Sequence, residues 1–97
     1  MVLMADASDP AVGGAAPARN AALSLRRGLR LLDLVADRTR NGAPSVSLGE
    51  LATGLGTAKS TVLRLTAPML ETDLLRRTAD AGFTLGLGAL LLGQSYL

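Results

Sequence analysis

Between Ala22 and Asp37 apolar residues recur with the period of a helix. Leu25, Leu29, Leu32 and Ala36 are spaced four, three and four apart, and Leu31, Leu34 and Val35 widen the stripe. The spacing predicts an amphipathic helix over residues 22–37. Ser24 is a candidate cap for its start. Arg26, Arg30, Asp33 and Asp37 fall on the opposite face, where Arg30 and Asp33 are placed to pair. Arg38 and Arg40 complement the helix dipole at its end, and Asn41-Gly42-Ala43-Pro44 stops it. Ahead of it, residues 1–21 mix Ala, Gly, Pro and Asp without periodicity and read as a flexible tail.

A second, short helix follows Ser47. Ser47 and Glu50 have the spacing of a capping box, and Leu48, Leu51 and Ala52 form the inward face. Gly54 and Gly56 bracket its exit. Thr57 then offers an N-cap hydroxyl for a third helix from Ala58 to about Leu70, with Thr61, Val62, Leu65 and Met69 facing inward. Two helices joined by a tight glycine-containing turn make a helix-turn-helix. Beyond them the period shortens. Residues 74–78 and 82–85 flank Ala79-Asp80-Ala81 and predict a β-hairpin, placed where a wing would follow a helix-turn-helix. Residues 87–97 read as a last helix. The expected fold is therefore mainly α with a small β-hairpin: a three-helix core plus wing over residues 22–86, and a C-terminal linker or dimerisation helix over 87–97.

Composition removes most catalytic chemistry. The 97 residues contain no histidine and no cysteine, so imidazole acid/base work, thiol nucleophiles, disulfides and imidazole- or thiolate-based metal sites are excluded. Phe83 and Tyr96 are the only aromatics, too few for a single-strand stacking platform. The 21 leucines must fill the core. Capping and surface solvation account for Asp33, Asp37 and Glu50, which leaves no reason to read them as a catalytic or metal cluster. Gly54-x-Gly56 followed by Lys59-Ser60 lacks the spacing of a phosphate-cradling loop. Neither an enzyme nor a cofactor or metal is expected. The sequence start is not that of a secretory signal, and the longest apolar run, 85–97, is interrupted by Gly86, Gly88, Gly93 and Gln94, so no membrane span is expected and the cytoplasm is the default compartment. The overall charge of +2 hides an uneven distribution, because residues 24–78 hold nine cations against five acids. Such a centre suits a polyanion.

Four segments, taken in order, resemble a known family: residues 24–32 (Ser-Leu-Arg-Arg-Gly-Leu-Arg-Leu-Leu), 47–52 (Ser-Leu-Gly-Glu-Leu-Ala), 56–65 (Gly-Thr-Ala-Lys-Ser-Thr-Val-Leu-Arg-Leu) and 83–86 (Phe-Thr-Leu-Gly). Together they are similar to the N-terminal domain of IclR-type bacterial transcriptional regulators, over about residues 24–93. The resemblance implies a winged helix-turn-helix that binds a palindromic operator in double-stranded DNA as a homodimer, with a small-molecule effector sensed by a separate C-terminal domain. At 97 residues the chain is expected to lack the sensing domain, as an excised DNA-binding fragment or a natural short form. Two departures from the family pattern concern backbone geometry. Asp73 stands where a glycine is usual, at a turn suited to left-handed geometry. Pro68 lies inside the third helix, where a kink or early end is expected.

On a helical wheel Lys59, Ser60, Leu63 and Arg64 share the outward face of the third helix. Lys59 and Ser60 are expected to meet base edges or phosphates, Arg64 a phosphate, and Leu63 a thymine methyl, with Thr57 and Thr61 beside them at the helix start. Arg76 and Arg77 begin the wing, where alternation along a strand turns only one of them readily toward DNA. Arg26, Arg27 and Arg30 crowd the expected start of the first helix, where cations oppose its dipole; that placement favours a role toward an anion, and Arg26 is a further candidate contact. The wing turn carries Asp80 and no cation, which disfavours insertion into a minor groove. The alternative function is a winged-helix protein-interaction or dimerisation module that uses its leucine-rich last helix and binds no specific DNA.

Overall fold

The computed structural model describes residues 16–97, with side chains from Arg19 onward. The elements run in the order α1 (Ala16–Arg40), α2 (Leu48–Leu55), α3 (Lys59–Glu71), β1 (Leu75–Arg77), β2 (Phe83–Leu85) and α4 (Leu87–Gln94). Helix α1 is 25 residues long and begins six residues before the expected start. Residues 16–21 therefore belong to the helix rather than to a tail; residues 1–15 of the expected tail lie outside the described residues. The run Ala16-Pro17-Ala18 suits such a start, because a backbone N–H missing from the first turn has no helical partner to lose. Ser24 is consequently an interior residue and no cap. Arg26, Arg27 and Arg30 likewise lie well past the N-terminal turn, clear of the dipole they would oppose there.

Packing also shifts the buried stripe of α1. Gly28, Leu31 and Val35 are buried, whereas Leu25, expected inside, is 65% exposed and Leu29 38% exposed. The leucine arc is broad enough for either face, and contacts with α2, α3 and β2 choose between them. Gly28 lets α1 come close to α3, since an added Cβ would lie 3.0 Å from Met69 Cε. The expected Arg30–Asp33 pair does not form. Ion pairs among the described residues include Arg40 with Asp37 and Arg38 with Glu50.

Helix α2 starts with the predicted capping box: Ser47 Oγ accepts the Glu50 N–H and Glu50 Oε1 accepts the Ser47 N–H, each at 3.1 Å. It stops at Gly56, whose φ of 65° lets the Gly56 N–H reach Thr53 O and the Thr57 N–H reach Ala52 O. The residue before α3 is Ala58, not Thr57, and no side chain caps that helix start. The helix continues through Pro68 to Glu71, so the expected early end does not occur. Arg64 and Pro68 both lie on the exposed side, where water can satisfy the Arg64 carbonyl that a proline cannot. The exit repeats the Gly56 geometry without a glycine. Asp73 has φ 60°, the Asp73 N–H bonds Leu70 O, and the Leu74 N–H bonds Met69 O.

Strands β1 and β2 pair antiparallel with Leu75 opposite Leu85, Arg76 opposite Thr84 and Arg77 opposite Phe83. Each is shorter than expected. Val46, in the α1–α2 connection, adds an antiparallel bridge to Phe83 with reciprocal bonds of 2.9 and 2.8 Å. The wing is thereby stitched to the segment that leads into α2. Leu31, Val35, Val46, Leu51, Val62, Leu75 and Phe83 are all at most 1% exposed and form one core, completed by Ala52 and Leu55. Thr66 is the buried polar residue among those described, and its Oγ donates to Leu63 O at 3.0 Å. Helix α4 docks by its first turn on the turn after α3, where the Gly88 N–H bonds Asp73 O at 2.8 Å. None of its residues is buried. No helix among the described residues is long and apolar enough to cross a membrane.

Candidate nucleic-acid interface

The interface follows from how α3 is held. Val62 and Thr66 are buried and Leu65 and Met69 half-buried, which fixes the rotation of the helix and leaves Lys59, Ser60, Leu63 and Arg64 exposed. Because no side chain caps the helix start, its first turn presents N–H groups beside Lys59 and Ser60. A helix opening of this kind favours an anion. Thr57 is half-buried in the turn before it and Thr61 half-buried behind it.

Two concavities flank this face. One is an open groove of about 1010 Å³ between α2 and the start of α3, lined by Arg38, Ser47, Glu50, Thr57 and Lys59 among others. The Lys59 chain runs beside α2 there, its Cε 3.8 Å from where a Cβ at Gly49 would lie. Arg38 Nη1 donates to Glu50 Oε2 at 2.8 Å in the same groove. Glu50 is held below the usual carboxylate range, chiefly by the hydrogen bonds from Ser47 and secondarily by the Arg38 charge. The other concavity, of about 460 Å³, is mostly apolar and lies between α1 and α3, with Arg27, Thr61 and Arg64 at its polar edge.

The wing arginines divide as alternation along a strand requires. Arg77 lies over the Phe83 ring, its guanidinium carbon 4.8 Å from the ring centre, and donates to Ala81 O at 3.4 Å. Such a contact occupies the cation within the wing. Arg76, opposite Thr84, is exposed on the other face. The wing turn itself is closed by Asp80, which accepts from Thr78 Oγ, from Ser45 Oγ at 3.0 Å and from the Gly82 N–H at 3.3 Å. These donors, Thr78 first, keep its carboxyl below the usual range.

Of the residues picked out in the sequence, Thr57 and Lys59 line one groove, Thr61 and Arg64 line the other, and Ser60 and Leu63 are exposed on the same helix. Arg26 is exposed on α1 and lines neither groove. Arg27, one of the α1 cations placed toward an anion, shares a groove with Arg64, and Arg38, which the sequence places only at the end of α1, shares one with Lys59. Arg38 had a sufficient local explanation as a dipole partner at the end of α1. Its position against Glu50 follows only from the angle between α1 and α2.

The IclR helix-turn-helix domain family matches residues 24–79. The transcriptional repressor IclR of Escherichia coli is 39% identical over 89 residues, which span 91% of the present chain and 31% of that protein. The acetate operon repressor of Salmonella typhimurium is 37% identical over 83 residues, spanning 84% and 29%. Among solved structures, the repressor BlcR of Agobacterium tumefaciens superposes with a TM-score of 0.66 at 34% identity, over 84% of the present chain and 31% of its own. The chain thus spans about a third of the length of these relatives.

Proposed function

Because the chain belongs to the IclR family through its helix-turn-helix domain, we propose that it binds double-stranded DNA sequence-specifically, as the DNA-binding part of a bacterial transcriptional regulator. Helix α3 enters the major groove. Lys59 and Ser60 meet base edges or phosphates, Arg64 a phosphate and Leu63 a thymine methyl, while the free N–H groups of the first turn take a backbone phosphate. The observation that carries this reading is the joint exposure of Lys59, Ser60, Leu63 and Arg64 around an uncapped helix start, on a helix whose other face is buried. Thr57, Thr61, Arg76 and Arg26 are supporting contacts. Arg77 contributes less, given its place over Phe83.

In the same reading residues 22–86 are the DNA-binding module and 87–97 the dimerisation helix, two copies bind a palindromic operator, and the protein works in the cytoplasm on the nucleoid. A small-molecule effector enters only through a sensing domain linked to the module. Selection of bound duplexes from a random pool tests the proposal, with a recovered palindrome as the expected result. Fluorescence anisotropy at several salt concentrations adds a second measure. Neutralising two or three phosphates per subunit predicts a log–log salt slope of roughly −2 to −3 per subunit, and Lys59→Gln or Arg64→Gln should each flatten it by about 1 per subunit. Absence of any salt-dependent duplex binding would overturn the proposal in favour of a protein-interaction module.

A further inference from the structure

Arg38 lies in the last turn of α1, and its guanidinium reaches out of the helix. Nη1 reaches across to Glu50 Oε2 at 2.8 Å, and the two side chains remain 39% and 50% exposed. They stand in the same open groove as Lys59. The Glu50 carboxylate is fixed from two sides, because Oε1 accepts the Ser47 N–H while Oε2 accepts Arg38. Its hold on Ser47 does not require Arg38. Conversely, a guanidinium has five N–H donors in a rigid fork, and the pair to Glu50 engages one nitrogen. An oxyanion entering the groove beside Lys59 would therefore find a partly solvated arginine with donors to spare, facing a carboxylate of the same charge as itself.

We propose that Arg38 is a further phosphate-contacting residue of the DNA interface, and that Glu50 restrains it by occupying one edge of its guanidinium until a backbone phosphate takes its place. This rests on the duplex-DNA reading given above. It assigns Glu50 two separable tasks. One is the capping box at the start of α2, which glutamine can also perform because its side-chain oxygen accepts the same N–H. The other is a negative charge that competes with the phosphate, which glutamine lacks.

Glu50→Gln should therefore keep the fold and bind duplex DNA more tightly, with a salt slope steeper than that of the unsubstituted chain by up to about 0.9 per subunit. Over a fourfold rise in salt, that difference amounts to roughly threefold in affinity. Arg38→Gln should bind more weakly with a flatter slope, and Arg38→Lys should keep the slope while losing part of the affinity. The decisive variant is the double substitution. If Arg38 contacts phosphate, the gain from Glu50→Gln disappears when Arg38→Gln is present. Persistence of the full gain in the double variant would mean that Glu50 merely repels DNA, and would overturn the proposal. So would an unchanged slope in both single variants when the unsubstituted chain binds. If the unsubstituted chain shows no duplex binding, the underlying DNA reading fails instead, and the proposal with it. Far-UV circular dichroism and thermal unfolding of each variant separate a lost contact from a lost fold.

Discussion

Ser45 donates to the Asp80 carboxylate at 3.0 Å across 35 residues of chain, tying the connection between α1 and α2 to the turn of the wing. Thr78 and the Gly82 N–H complete the shell around that carboxylate, and the Val46–Phe83 bridge runs alongside. The wing is thus positioned by the segment that also leads into the helix-turn-helix.

The pH dependence of stability should report this contact. Asp80 titrates below the ordinary aspartate value of 3.8 in the folded state. Its contribution to stability is therefore complete above that value and is lost as pH falls through the lower, folded-state value. Asp80→Asn should lower the melting temperature at neutral pH, and the gap from the unsubstituted protein should close in strong acid. Thermal unfolding between pH 7 and pH 2 measures it. A gap independent of pH would show that the charge is not responsible.

Gly86 and Gly93 should respond oppositely to alanine. At Gly86 an added Cβ would lie 2.2 Å from Asp73 O, a backbone atom that cannot move aside without opening the turn after α3. At Gly93 an added Cβ meets nothing within 4 Å. Gly86→Ala should cost about 1–3 kcal/mol or more by overpacking, while Gly93→Ala should add about 0.5–1 kcal/mol through helix propensity. Urea unfolding of the two variants distinguishes the close approach from a general effect of glycine.

The capping box gives a third expectation. Ser47→Ala removes the acceptor for the Glu50 N–H and should cost about 1 kcal/mol. Glu50→Gln should cost clearly less, since the reciprocal bond to the Ser47 N–H survives. Denaturant midpoints at constant m-value test the order.

Self-association should depend on α4. Leu87, Leu90, Leu91 and Leu92 are each more than half exposed, a density of apolar surface unusual for an isolated face. Leu91→Asp should leave the circular dichroism of the folded chain intact and shift sedimentation toward the monomer. A species distribution unaffected by the substitution would place any dimer contact elsewhere.

The identity and order of all six elements were legible in the local pattern, because helix caps, turn chemistry and the two hydrophobic periods are short-range signals. The outward face of α3 was legible for the same reason. Once Val62 is placed inside, Lys59, Ser60, Leu63 and Arg64 follow by helical spacing. Helix ends were read less well. Ser24 and Thr57 both have capping chemistry, but α1 starts upstream of Ser24, and Ala58, not Thr57, precedes α3.

The amino-acid sequence by itself determined the helix-turn-helix with its hairpin, the Ser47–Glu50 cap and the presented side of α3, since each depends on residues within a few positions of one another. Tertiary structure decided which arc of the α1 leucines is buried, how Val46 joins the sheet, why Arg77 is held on Phe83, and that Arg38 meets Glu50 beside Lys59. Each of these depends on the angles and distances between elements. Those are set by the shared packing of Leu31, Val35, Leu51, Val62 and Phe83, a many-body constraint that no local spacing encodes.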